Sequence, residues 1–263
     1  ANPYWIEATG ALGRLHPPDA AYATEERMVE RLFDWAARQP PAFQWYGALN
    51  FGDTLSWWRS QDSSRWYGAE GWHPVGRWGW RNGAGMGLHA GALLQFARTG
   101  QWKYFRLGED RARHAMDVDT VHHDTVAEDK RLRGLLDPGF SRPGSVHGPN
   151  GDHWGGPNDT SAFTGITGLM LYHLLSADER ARDVLLESGE FLLSEPFAGA
   201  SAREPVPHEA VANVLGGAVQ MFALTGDERY KRAADRAAEI YLRGQREDGS
   251  FAAGYDAGAG VWS

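Results

Sequence analysis

The chain lacks cysteine, any run of lysine or arginine, and any long apolar segment. Without cysteine it can form no disulfide and no zinc–thiolate site, and it has no cysteine nucleophile. The formal net charge is −8, so neither nucleic acid nor an anionic membrane is expected as a partner. No apolar run approaches the roughly 20 residues that cross a bilayer.

The first residues, "ANPYWIEATG", also lack a signal-peptide core. Any export signal would therefore lie upstream of them. The absence of cysteine leaves the compartment open, and we expect a secreted or periplasmic location.

Tryptophan, in contrast, is abundant and clustered. Seven of the twelve tryptophans fall within residues 45–80, among many glycines, prolines and serines. Exposed indole rings stack on the apolar faces of sugars, and nearby polar side chains bind hydroxyl groups. The cluster predicts carbohydrate binding, although the same rings could instead pack beneath long loops.

Three segments contain no Asp, Glu, Lys or Arg, namely 83–97, 160–177 and 210–226. Each is rich in Ala, Gly and Leu, as expected of a helix that is buried on all sides. Each is followed by a tight turn ("RTGQW", "LSADE" and "LTGDE") and then by a charged amphipathic helix. The pattern predicts three αα-hairpins, each with a buried inner helix and a half-exposed outer helix.

Stacked hairpins of this kind predict an all-α fold, an α/α toroid. An earlier helix over 24–38, with its apolar face at Met28, Leu32, Trp35 and Ala36, is expected to be another outer helix. A closed ring of six hairpins would need about twelve helices, and about seven are found here. We therefore expect one domain over 1–263, with a possible linker at 1–22, that is incomplete or excised from a longer multidomain chain.

Long outer-to-inner connections should then collect on one rim. They are residues 39–83, 119–160, 195–209 and 244–263. Long loops on a rigid scaffold are where function usually lies.

The connection 119–160, with the helix end that leads into it, carries the strongest candidate residues. The glycine-rich stretch 144–160 contains His147, Asp152, His153 and Trp154, and residues 116–124 contain Asp119, His122 and His123. Histidine titrates near neutral pH and can act as an acid or a base. The alternatives are that these side chains anchor loops or cap a helix, or that residues 116–124 bind a metal ion, with Ca²⁺ favoured by the carboxylates.

Three stretches together resemble the central domain of exo-acting rhamnogalacturonan lyase and YetA-like proteins. They are "WYGALNFGD" (45–53), "RTGQWKYFRLGEDRARHAMDVDTVHHD" (98–124) and "VHGPNGDHW" (146–154). The resemblance covers roughly residues 45–195 and is most specific at Arg113–His122; the hairpins alone would indicate only the six-hairpin glycosidase-like superfamily. It implies a catalytic toroid, normally flanked by β-rich domains that are not in this chain. Where the family pattern has an acidic residue, this chain has "WRNGAG", which bears on the substrate.

The resemblance implies β-elimination at a uronic acid, in a rhamnogalacturonan-like polysaccharide. The enzyme must neutralise the carboxylate, remove the C5 proton and protonate the leaving oxygen. The candidate residues for these steps are Arg81 and Asn82 for the carboxylate, His147 or His153 as base, Tyr46 as base or acid, and His122 and His123 in support. The expected sugar-binding residues are Trp45, Asp53, Trp57, Trp58, Trp80, Asp119, Asp152 and Trp154. We expect His147 and His153 to face Arg81 and Asn82 across one pocket.

Other functions remain open at this point. A glycoside hydrolase would need two carboxylates, drawn from Asp53, Asp119, Asp152, Asp159 and Glu209. A non-catalytic glycan-binding domain would use the tryptophans alone, and "QREDGSF" weakly suggests a terpenoid-cyclase-like protein. No cofactor is expected apart from the possible Ca²⁺.

Overall fold

The structure is a computed structural model, and it describes residues 2–43, 54–59, 77–81, 87–123, 143–146, 165–194 and 206–263. The described residues are mainly helical, as expected for an α/α toroid. Their α-helices are α1 (Pro3–Thr9), α2 (Ala23–Phe43), α3 (Leu88–Thr99), α4 (Trp102–His114), α5 (Ile166–Ser176), α6 (Glu179–Ser194), α7 (His208–Thr225) and α8 (Glu228–Arg243).

Five short strands accompany the helices. An antiparallel hairpin pairs β1 (Thr54–Arg59) with β2 (Arg77–Arg81). A second antiparallel sheet contains β3 (Val206–Pro207), β4 (Gly254–Asp256) and β5 (Val261–Trp262), in that spatial order. None of the described helices is both long and apolar enough to cross a membrane.

The three predicted αα-hairpins are present as α3–α4, α5–α6 and α7–α8. All three turns have the same atomic plan. The residue after each inner helix is left-handed, and its N–H bonds the carbonyl four residues back; these residues are Gly100, Ala177 and Gly226. The last residue of each inner helix is Thr or Ser, and its hydroxyl donates to the carbonyl four residues earlier in the chain. The same hydroxyl accepts a hydrogen bond from the backbone N–H two residues later.

The inner helices supply the centre of the core. Ala92 and Leu93 of α3, Leu169 of α5, and Val211 and Met221 of α7 are almost entirely buried. The outer helices bury one face each and expose their charged residues. This explains why charged residues are absent from the inner segments and frequent in the outer ones.

The inner helices all begin at the same end of this helical layer, which we call the loop rim. The ring of His89, near the start of α3, lies 3.2 Å from the carbonyl of Gly165, just before α5. Helix α7 runs antiparallel to α6, because a Cβ at Gly217 would contact Leu192 and one at Gly189 would contact Met221. The predicted common rim is therefore confirmed for the described residues.

Helix α2 packs against the first hairpin, but with a different face from the one predicted. Phe33 contacts Tyr104 edge-on and lies over Gly91, and Ala36 is buried. The remaining predicted core positions were wrong, since their exposed fractions are 66% for Met28, 52% for Leu32 and 42% for Trp35. The reason is that residues 29, 33 and 36 form a second apolar face, and this is the face that meets α3 and α4.

Two predicted connections also contain regular structure. Helix α2 continues to Phe43 rather than ending at residue 38, and the β1–β2 hairpin lies within 39–83. Residues 244–263 contain β4, which pairs with β3 at the start of α7, and β5, which pairs with β4. The "QREDGSF" stretch is a tight turn in which Asp248 accepts the N–H of Ser250. The domain extent of 1–263 with a linker stays a prediction.

Candidate functional site

A buried imidazole–carboxylate pair lies where α4 ends at the loop rim. The last turn, Ala115–Asp119, is π-helical, and the N–H of Thr120 bonds the carbonyl of Ala115 five residues back at 3.1 Å. In an α-helix, residues five apart point about 140° away from each other. The wider π turn instead brings Nε2 of His114 to 3.3 Å from Oδ1 of Asp119, with both side chains completely buried. π turns of this kind are frequent at functional sites.

The chain after this turn pairs with the start of the histidine loop. Thr120 and Val146 form an antiparallel bridge, and Val121 exchanges hydrogen bonds of 2.8 Å with Gly144 and Ser145. The two candidate segments, 116–124 and 144–160, are thus joined at their bases. His147 follows Val146 directly in the sequence and lies outside the described residues.

His122 fixes this ladder to the second hairpin. Its Nδ1 lies 2.5 Å from Oε2 of Glu187 on α6, and its Nε2 lies 2.5 Å from the carbonyl oxygen of Met116. Both of these partners are hydrogen-bond acceptors. Arg180 lies against the same ring and pairs with Asp117 at 3.5 Å. In this arrangement the His122 ring is occupied by structural contacts.

Gly144 brings the ladder into direct contact with α6. Its φ of +83° lies in the left-handed region, and a Cβ here would sit 2.2 Å from the carbonyl oxygen of Glu187. A side chain would therefore push the ladder away from α6. The base of the histidine loop is held by both backbone and side-chain contacts.

A second buried histidine connects the inner helices beneath the rim. The Nε2 of His89 bonds the Gly165 carbonyl, and its ring lies where a side chain at Gly168 would be. Burial is the main cause that lowers the pKa of His89 to about 4; the hydrogen bond to Gly165 opposes this shift, and the positive charge of Arg111 adds to it. His89 is therefore neutral near pH 7, and Nε2–H is the donor to Gly165.

Arg111 places a positive charge in the same interior. Its side chain is 1% exposed, and Nη1 donates to the carbonyl of Leu107 at 3.4 Å. A buried guanidinium is costly unless its charge is compensated. A buried polar cluster therefore lies at the loop rim and interrupts the apolar core of the described residues. Its members are His89, Arg111, His114 and Asp119.

The predicted site residues fall into three groups. Asp119 is buried against His114, His122 is held by Glu187, and His123 is exposed. Four others are placed by backbone only: Trp57, Trp58, Trp80 and Arg81 belong to β1 and β2, and Arg81 pairs with Thr54. The rest of the catalytic and sugar-binding set lies outside the described residues: Trp45, Tyr46, Asp53, Asn82, His147, Asp152, His153 and Trp154.

The same limit applies to the hydrolase candidates. Asp159 lies outside the described residues, and Glu209 is placed only as a position in α7. The pocket expected between His147, His153, Arg81 and Asn82 therefore stays a prediction.

Sequence reasoning overlooked the buried partners. His114 lies within Arg113–His122, the part of the sequence in which the family resemblance is most specific. Its spacing of five residues from Asp119 predicts no side-chain contact in an α-helix. Arg111 resembled a charge on an outer helix, and Glu187 a solvent-facing residue of α6. Only the π turn, the packing of α4 on α5 and the packing of the π turn on α6 reveal these roles.

Metal binding receives no support from the part of the chain described. No three His, Asp or Glu side chains there are grouped so that they could hold a metal ion. The possible Ca²⁺ site at Asp119, His122 and His123 is not formed, because Asp119 turns inward to His114 while His122 turns to Glu187.

Stacked αα-hairpins with uncharged inner helices and long loops on one rim define an α/α toroid domain. A family model described as the PcRGLX-like protein C-terminal alpha/alpha toroid domain matches residues 1–191. The chain belongs to this rhamnogalacturonan lyase-like toroid family. The match extends from α1 to most of α6 and includes the buried polar cluster. No curated protein matches the chain.

Proposed function

We propose that this protein is a polysaccharide lyase that cleaves a uronic-acid-containing, rhamnogalacturonan-like glycan by β-elimination. Family membership supports a carbohydrate-active enzyme. The observation that carries the proposal is the ladder between Thr120 and Val146. It ties the loop of His147 and His153 to the π turn that holds the buried imidazole–carboxylate pair.

The chemistry assigns three tasks to the loop-rim residues. A cation must neutralise the uronate carboxylate so that the C5 proton becomes more acidic, and we assign this task to Arg81 with Asn82. A base must take that proton, and we assign it to His153 or His147. An acid must protonate the leaving oxygen, a role that suits the phenol of Tyr46, with His123 in support.

We assign positioning roles to the buried residues. His122 engages Glu187 and Met116 with its two ring nitrogens, so it holds the ladder rather than moving protons. Asp119 is fully buried and holds His114 rather than a sugar hydroxyl. Such supporting contacts fix catalytic side chains within the narrow range that proton transfer requires.

The test is incubation with a panel of uronic-acid polysaccharides, in which the ultraviolet absorbance of unsaturated products and the formation of reducing ends are followed together. A lyase produces both signals. Reducing ends without absorbance would instead identify a hydrolase. Binding without either signal would identify a glycan-binding domain.

The residue roles are tested by His153→Ala and His147→Ala. We expect loss of turnover by at least roughly 100-fold for the residue that acts as base, with glycan binding retained. The matched control is His16→Ala, because His16 is exposed and its carbonyl bonds Arg98 at the end of α3 opposite the loop rim. Near-normal turnover of both loop variants would show that these histidines only anchor the loop.

A further inference from the structure

Helix α2 segregates its charges into two rows. The acidic row turns toward the first hairpin, where Glu26 pairs with Arg98, and Glu30 and Asp34 lie 3.3 Å and 3.0 Å from Nζ of Lys103. These ion pairs fix which side of α2 faces the toroid. Its carboxylates are thereby turned toward α3 and α4.

The basic row comprises Arg27, Arg31 and Arg38. At 100° per residue these positions fall within about 40° of one another, and all three side chains are exposed. Arg27 bonds the hydroxyl of Thr24, and Arg38 bonds the carbonyl of Asp34. Among the residues described, no carboxylate lies within ion-pair distance of any of the three guanidinium groups.

An apolar stripe lies beside the basic row. Met28, Leu32 and Trp35 fall within about 60° on the helix, and all three are exposed. We call the stripe and the basic row together the α2 outer face. On a protein with a net charge of −8, it combines unpaired positive charge with an accessible indole ring.

We propose that the α2 outer face is a second glycan-binding site that holds an extended anionic polysaccharide outside the loop rim. A uronic-acid chain presents both groups that this face can bind, since its carboxylates pair with arginine and its ring faces stack on tryptophan. The identity of this ligand rests on the proposed function. The observation that the three arginines have no carboxylate partner among the described residues is independent of that function.

The direction of α2 connects this site to the loop rim. Glu26 lies at the C-terminal end of α3 and Phe33 lies beside Gly91 near its start, so α2 runs antiparallel to α3 and ends at the loop rim. The basic row extends over about 16 Å at 1.5 Å per residue. A polysaccharide laid along it is led toward the rim that carries the candidate catalytic loops.

The test compares two triple variants of equal charge change. The first replaces Arg27, Arg31 and Arg38 by Gln, and Trp35→Ala is made separately. The control replaces three exposed arginines on the outer helices α6 and α8 by Gln: Arg182, Arg232 and Arg236. Binding is measured by calorimetry with soluble polygalacturonate and rhamnogalacturonan, with neutral galactan as a further control.

We expect the α2 triple variant and Trp35→Ala each to raise the Kd for the anionic polymers by roughly tenfold, from exposed charge pairs and one stacked ring. The control should bind like the parent protein. Turnover of short oligosaccharides should stay unchanged in all variants, because only long chains reach both sites. Equal Kd values for the parent and the α2 variants would overturn the proposal.

The remaining outcomes separate this proposal from its alternatives. Binding that depends on α2, without formation of unsaturated product, would support the second binding site and contradict the lyase assignment. Cleavage of long polymers to unsaturated products, with unchanged affinity in the α2 variants, would support the lyase assignment and contradict the second site. Two further results would overturn the proposal: α2-dependent binding of acidic phospholipid vesicles without polymer binding, or parental dimerisation that the α2 variant abolishes in sedimentation.

Discussion

All three αα-hairpins have the same arrangement of helices and turns. The core between the first two hairpins nevertheless differs from the core of the third hairpin. Between α3–α4 and α5–α6 the core contains His89, Arg111, His114 and Asp119, all buried. Across the side chains described from 206 to 263, no His, Asp, Glu, Lys or Arg is buried. The third hairpin is closed at the loop rim by its own following chain, where Trp262 donates to the carbonyl of Ile240.

This difference distinguishes the shared helical scaffold from the candidate site. An αα-hairpin needs only an uncharged inner helix, a left-handed turn and an amphipathic outer helix, and the third copy contains little more. Burying charged groups costs free energy unless they are compensated, so the polar cluster is not explained by the needs of the fold. The family match ends at residue 191, within α6, and so includes the polar junction but not the third hairpin.

The largest expected difference concerns buried and exposed carboxylates. We expect Asp119→Ala to lower the free energy of unfolding by about 3–5 kcal/mol, because it leaves buried polar groups without their partner. The control in the third hairpin is Asp235→Ala, which breaks the exposed Lys231–Asp235 pair and should leave the urea midpoint almost unchanged. Similar losses in the two variants would contradict the distinction between site and scaffold.

A pH dependence should be specific to the polar junction. The pKa of His89 is lowered to about 4 from an ordinary 6.5, so the unfolded chain takes up this proton first as the pH falls. Stability is therefore lost between pH 6.5 and 4, by about 3 kcal/mol in total. His89→Phe fills the same space without titrating. The parent-minus-variant difference in urea denaturation should decrease over this interval, and a constant difference would count against a neutral buried His89.

Much of the fold was predictable because burial on all sides restricts composition strongly. The uncharged segments at 83–97, 160–177 and 210–226 match the ends of α3, α5 and α7 to within about two residues, and the starts of α3 and α5 lie five and six residues inside their segments. The buried face of α2 was not predictable, because Met28 and Phe33 belong to two apolar faces that the sequence cannot rank. Ion pairs to Arg98 and Lys103 select the second face, and these are long-range contacts.

The site was less accessible to sequence reasoning. Composition alone singles out the segments 116–124 and 144–160, and the structure joins them at Thr120 and Val146. The His114–Asp119 pair depends on a π turn, which no periodicity argument predicts. Local patterns thus indicated these two segments but did not distinguish the side chains that support them from those that we propose to contact a sugar.

Helical glycines provide a smaller test of the same comparison. A Cβ at Gly168 would lie 1.9 Å from the ring of His89, whereas one at Gly216 would have nothing within 4 Å. We expect Gly168→Ala to cost about 1–3 kcal/mol through overpacking, and Gly216→Ala in α7 to gain about 0.5–1 kcal/mol from helix propensity. Thermal denaturation of both variants checks this, and a neutral Gly168→Ala would mean that the His89 ring can move aside freely.

The smallest expected effects lie in the turns, where the repeats can be compared residue by residue. Ala177 has a φ of 56° at the position that Gly100 and Gly226 occupy in the other hairpins. A left-handed alanine costs about 1 kcal/mol, so Ala177→Gly should raise the free energy of unfolding by up to that amount. Gly226→Ala should lower it similarly, since a Cβ there meets nothing within 4 Å and only the backbone conformation matters. Changes of the same sign in the two variants would mean that the turns are not equivalent, and the repeat would then hold for the helices alone.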